Sequence, residues 1–131
     1  MLTLKGYQQR TLDSLRKYFA ECSKSGDANK TFYSCTLENF GRGISYNEVQ
    51  ELPGLPYVCL RIPTGGGKTL VACHAIGVAA QELLHTDNPI VLWLVPSNTI
   101  LEQTRSNPRF FRKGNREWIY RTRTLLRSSR Q

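Results

Sequence analysis

The sequence predicts an α/β fold, a βαβ unit with a parallel sheet preceded by an amphipathic helix. Three stretches carry that reading. Tyr57-Val58-Cys59-Leu60-Arg61-Ile62 is apolar and rich in β-formers, and a glycine loop follows it at once. An apolar, helix-forming run extends from Lys68 to about Leu84. Ile90-Val91-Leu92-Trp93-Leu94-Val95 is then unbroken in its apolarity, the pattern of a strand covered on both faces.

Taken in order, residues 4–24 place Leu4, Tyr7, Leu12, Leu15, Phe19 and Cys22 close to helical spacing, with Arg10, Asp13, Arg16, Lys17 and Lys24 on the other side. Gly26-Asp27 is a plausible stop. Thr31-Phe32-Tyr33-Ser34-Cys35-Thr36-Leu37 is β-rich and predicts a strand or short hairpin. Gly41-Arg42-Gly43 and Leu52-Pro53-Gly54-Leu55-Pro56 are turn material. The helix from Lys68 is apolar on most sides through Leu70, Val71, Ala75, Val78, Ala79 and Leu83. Asp87-Asn88-Pro89 turns the chain into the second strand. Ser97 or Asn98 can cap a helix reaching about Arg105.

The chain has 131 residues, enough for one domain with a core. Its net charge of +8 is unevenly placed. Residues 1–105 hold 10 basic and 9 acidic side chains, whereas residues 106–131 hold 8 basic ones and a single acid, Glu117. A charge argument for nucleic acid therefore applies to the tail alone. The longest apolar run, Leu70 to Ala80, is interrupted by His74 and Gly77 and is too short to span a bilayer. With no basic-then-apolar leader at the N-terminus, the expectation is a cytoplasmic protein with no membrane partner. Cys22, Cys35, Cys59 and Cys73 lack metal or redox spacing and read as buried or half-buried free thiols. His74 and His85 have no acid or thiol at ligand spacing and read as structural or solvent-facing.

The chemistry concentrates in Ile62-Pro63-Thr64-Gly65-Gly66-Gly67-Lys68-Thr69. Glycines let the backbone curl and aim successive N–H groups at phosphate oxygens. Lys68 can reach the β- and γ-phosphates, Thr69 offers a hydroxyl to Mg²⁺, and the helix N-terminus adds positive potential. The Gly-Lys-Thr ending is the specific part of a P-loop, although Ile62 stands where the strict pattern has its first glycine. The loop follows a strand end, where ligands bind in open α/β sheets.

Two further stretches narrow the class. Leu94-Val95-Pro96-Ser97 followed by Gln103 resembles motif Ia of superfamily 2 helicases, which grips the backbone of a tracking strand; Asn98 stands where many DEAD-box relatives carry arginine. Leu4-Lys5-Gly6-Tyr7-Gln8 resembles the upstream element of that superfamily, whose glutamine reads adenine, and a carboxamide can pair bidentately with adenine. Residues 1–105 thus resemble the N-terminal part of the first RecA-like lobe of a DEAD/DEAH-type helicase, and most nearly the Res subunit of type III restriction–modification systems. The resemblance implies ATP and Mg²⁺ as cofactors, movement on duplex DNA, and a methylation (Mod) subunit as partner in the full enzyme. It assigns Thr64, Gly65, Gly66, Gly67, Lys68 and Thr69 to the ATP phosphates, Thr69 also to Mg²⁺, Gln8 to adenine, and Pro96, Ser97, Asn98 and Gln103 to DNA.

What the family needs for hydrolysis is not found in the sequence. After Thr69 the acids are Glu82, Asp87, Glu102 and Glu117, and none follows an apolar strand as a metal-holding carboxylate would. The second lobe and the nuclease domain are missing too. The expectation is a truncated N-terminal piece that binds ATP and does not turn it over. The alternative is an inactive remnant binding nucleic acid through its basic tail. Residues 106–131 read either as a basic arm or as sequence translated out of frame, because the family-like pattern stops at Gln103-Thr104-Arg105.

Overall fold

The computed structural model describes residues 3–94 and, beyond them, the backbone of two short strands. It divides into two units, Met1–Pro89 and Ile90–Gln131. The first unit contains three helices: α1 over Gly6–Ser25, α2 over Ala28–Phe40 and α3 over Lys68–Glu82. In the second unit β1, Arg112–Lys113, pairs antiparallel with β2, Arg116–Glu117, in the register Arg112 opposite Glu117.

α1 forms where the periodicity placed it. Leu12, Leu15, Tyr18, Phe19 and Cys22 are buried along one face. Gly26 ends the helix at φ 67°, a left-handed conformation in which its N–H reaches the Cys22 carbonyl at 2.9 Å. α1 packs against both other helices. Its buried residues join Ala28 of α2 with Val71 and Val78 of α3 in one core, and Tyr18 meets Phe32 edge to face at 6.0 Å. Arg16 reaches Glu82 at 3.4 Å, and Lys17 pairs with Glu38. These surface pairs add little stability.

The strand or hairpin expected around residues 31–37 is a helix instead. Asp27 caps it, its side chain accepting from the Lys30 N–H at 2.9 Å. The inward positions are Ala28, Thr31, Phe32, Cys35 and Thr36, which is helical spacing. Thr36 Oγ1 donates back toward the Phe32 and Tyr33 carbonyls and accepts from the Ile44 N–H. Burial against α1 at period 3.6 outweighs the β propensity of single residues. Asp27→Ala should lower stability by about 1 kcal/mol, read as an earlier urea midpoint. An unchanged midpoint would show that the cap contributes nothing.

The parallel sheet is also overturned. Among the described residues there is no parallel pair, and the βαβ reading is withdrawn. Among the described residues neither 57–62 nor Ile90–Leu94 has a hydrogen-bonded strand beside it. A parallel strand needs ladder partners at its edges and cover on both faces. Here Leu60 is 38% exposed, and Leu92 and Leu94 are about 70% exposed, at 69% and 72%. Val58 and Ile62 still pack against the helical core, so the segment before the loop is anchored by side chains. Tyr46 steadies the approach: its hydroxyl donates to the Leu55 carbonyl at 2.5 Å and accepts from the Tyr57 N–H at 2.7 Å.

The cysteines are free, with Cys22 buried, Cys35 and Cys73 half-buried and Cys59, unlike its expected cover, exposed. His74 is exposed, and His85 lies 2.7 Å from Ser23 Oγ, joining the end of α3 to α1. Burial pushes the Cys73 thiol up from 9.0 to about 11. The fold therefore favours the neutral thiol. That contribution is complete below pH 9.0, the ordinary value, and is lost as pH rises through about 11. Urea midpoints measured across this window should fall, and should fall less in Cys73→Ala. Equal slopes in the two proteins would reject this source of alkaline instability.

Candidate functional site

The glycine loop is a tight turn feeding α3. The Gly66 N–H donates to the Pro63 carbonyl at 3.0 Å. Gly66 is buried, and a Cβ on it would sit 2.5 Å from Ile62 Cγ2 and 2.8 Å from the Pro63 oxygen, so no larger residue fits. Gly67 takes φ 75° and is the N-cap of α3, its carbonyl accepting from the Val71 N–H at 3.0 Å. An L-residue there would carry left-handed strain of ~1–2 kcal/mol. Its Cβ would also stand 2.6 Å from Gln8 Nε2. Thr64 and Gly65 lie exposed on the outside of the loop.

Gly67 offers no side chain to the first N–H groups of α3, and the first turn carries no acid. Those groups have no partner inside a helix. They and the positive end of the helix suit an anion. Lys68 is exposed beside them, its ammonium donating to the Pro63 carbonyl at 3.2 Å. Thr69 is half-buried in the same turn. The donor set therefore fits a chain of phosphates. For Mg²⁺ the loop supplies one hydroxyl, Thr69, and no cluster of three potential metal-binding side chains exists among the described residues. A magnesium ion bound largely through substrate phosphates and water needs no more than that from the loop.

Gln8 sits on the first turn of α1 and is 3% exposed. Its Nε2 donates to the Gly66 carbonyl at 2.8 Å, and its Oε1 accepts from the Lys5 N–H at 2.8 Å. Each end of the amide retains one further hydrogen-bonding position. The Tyr7 hydroxyl donates to the same Gly66 carbonyl at 2.8 Å. The structure thus brings Gln8 to Gly66 and Gly67, across nearly sixty residues of sequence. Pro96, Ser97, Asn98 and Gln103 lie outside the described residues.

Tyr7 and the Pro63 carbonyl are the parts of the site that sequence reasoning missed. Tyr7 read as an apolar position on α1 and as a member of the Leu4–Gln8 stretch, with no role of its own. Its hydroxyl gave no signal, because nothing in one sequence ties residue 7 to residue 66. Pro63 contributes a backbone atom, which no side-chain pattern reveals.

The site is a glycine loop running into an uncapped helix start, with a lysine at the junction. The chain's family follows from comparison: the family model for the type III restriction enzyme, res subunit, matches residues 1–129, and the chain belongs to that family. The resemblance carried by residues 4–8, 63–69 and 94–98 holds at the family level. No curated protein and no solved structure matches it.

Proposed function

We propose that this chain is the ATP-binding part of a DNA helicase or translocase of the type III restriction class. Mg·ATP binds at the glycine loop. Lys68 neutralises the β- and γ-phosphates, and the backbone from Thr64 to Gly67 with the first turn of α3 holds their oxygens. Thr69 ligates Mg²⁺, and Gln8 uses its remaining donor and acceptor on adenine. Residues 1–105 carry the nucleotide and DNA elements, with Pro96, Ser97, Asn98 and Gln103 on the DNA backbone. Residues 106–131 form a basic tail. In the full enzyme this part couples hydrolysis to movement on duplex DNA, in the cytoplasm, beside a methylation subunit. No helix among the described residues is long and apolar enough to cross a membrane.

The observation that carries this reading is the uncapped start of α3, with Lys68 at its mouth, in a chain of this family. The test is calorimetric titration of the 131-residue chain with Mg·ATP, followed by phosphate-release assays with and without duplex DNA. Binding is expected, and phosphate release is expected only where a metal-holding carboxylate and an arginine from a second lobe complete the site. Failure to bind would reject the nucleotide site. DNA-stimulated phosphate release by these 131 residues alone would reject that requirement.

A further inference from the structure

The Gly66 carbonyl accepts two hydrogen bonds, one from Tyr7 and one from Gln8, both at 2.8 Å. That uses both of its lone pairs. Like the Gly65–Gly66 peptide before it, the peptide joining Gly66 to Gly67 has no Cβ on either side to bar rotation. It is trans, as are the other peptides described. In a planar trans peptide the N–H points opposite to the C=O. With the Gly66 oxygen drawn against the first turn of α1, the Gly67 N–H is turned the other way, away from those two donors. The neighbouring Gly66 N–H is already given to Pro63. The Gly67 N–H follows that turn and is not used by it.

We propose that Tyr7 is a positioning residue of the phosphate loop: through the Gly66 carbonyl it fixes the peptide whose N–H, that of Gly67, donates to a bound phosphate. The inference rests on the nucleotide reading above and adds to it a residue outside the loop. Tyr7 touches no phosphate. Gln8 does not do this alone, since its amide also holds the Lys5 N–H and, in the reading above, adenine. The half-buried phenol holds the carbonyl from a separate direction, with a hydroxyl free of other duties.

The test uses the full chain, Tyr7→Phe, and Mg·pyrophosphate as a probe that has phosphate and no base. Removing one net hydrogen bond should weaken binding about 3- to 10-fold. In amide and carbonyl NMR spectra, pyrophosphate should move the Gly67 amide proton downfield in the unsubstituted chain and much less in Tyr7→Phe. Unaltered affinity in Tyr7→Phe overturns the proposal and leaves the nucleotide site standing. So does weaker binding with the full Gly67 shift, which is what a merely structural role would give. If the unsubstituted chain binds no pyrophosphate and no Mg·ATP, both readings fall. Circular dichroism checks that the variant folds. If it does not, the unsubstituted chain decides: the Gly66 carbonyl carbon must keep its doubly bonded, downfield position through the titration. An upfield move on binding means the anchor lets go when phosphate arrives, and overturns the proposal.

Discussion

Lys68→Ala should lower the affinity of the proposed Mg·ATP site roughly 10- to 100-fold and leave the helices in place. A hydrogen bond to a charged group is worth ~1.5–3 kcal/mol, and each 1.4 kcal/mol is a factor of ten. Lys68 is exposed at the start of α3, and its ammonium reaches the Pro63 carbonyl at 3.2 Å, a contact of little weight for folding. Alanine is the best helix former, so the helix itself gains. Far-ultraviolet circular dichroism should therefore be unchanged while the titration flattens. Affinity kept in Lys68→Ala would place any nucleotide elsewhere on the molecule.

Leu12→Ala should have the opposite profile, a damaged fold with every loop residue intact. Leu12 is 3% exposed in the core that α1 shares with α2 and α3. Truncating a buried leucine costs ~2–5 kcal/mol. A unit the length of Met1–Pro89 is stabilised by only ~4–13 kcal/mol in total. The substitution therefore removes a large share of what holds the unit together. Since α1 is the common neighbour of the other two helices, all three should be lost in one transition. Urea unfolding followed by circular dichroism reads this as a much earlier midpoint. A midpoint within error of the unsubstituted chain would mean that α1 is not the keystone described.

Most of the helical scaffold was legible in the sequence. α1 and α3 were written in apolar spacing, and Gly26 marked the end of α1 where the chain takes its left-handed turn. α2 was obscured because Thr31, Phe32, Tyr33 and Thr36 favour strands one by one, while their helical placement against α1 decides the outcome. The two apolar runs were legible as buried-strand sequence, yet a strand is a property of a pair. A single stretch cannot supply the neighbour that would satisfy its backbone. The glycine loop was readable down to its residues, since backbone geometry there depends on local steric freedom. Its attachment to α1 was not, because the Tyr7 and Gln8 bonds to Gly66 join distant segments.

That attachment also sets an order of assembly. Contacts between α1 and α2 close a short length of chain, whereas the bonds from Tyr7 and Gln8 to Gly66 span 59 and 58 positions. Closing longer loops costs more entropy and slows the contacts that depend on it. During synthesis and refolding, the helical hairpin of α1 and α2 should gain protection first, and the loop should take its final shape only when α3 docks. Pulse-labelled hydrogen exchange would show this as late protection of the Val71 amide relative to those of α1. Simultaneous protection would mean that loop closure is not limiting, and that the glycine loop is as old in the folding path as the helices around it.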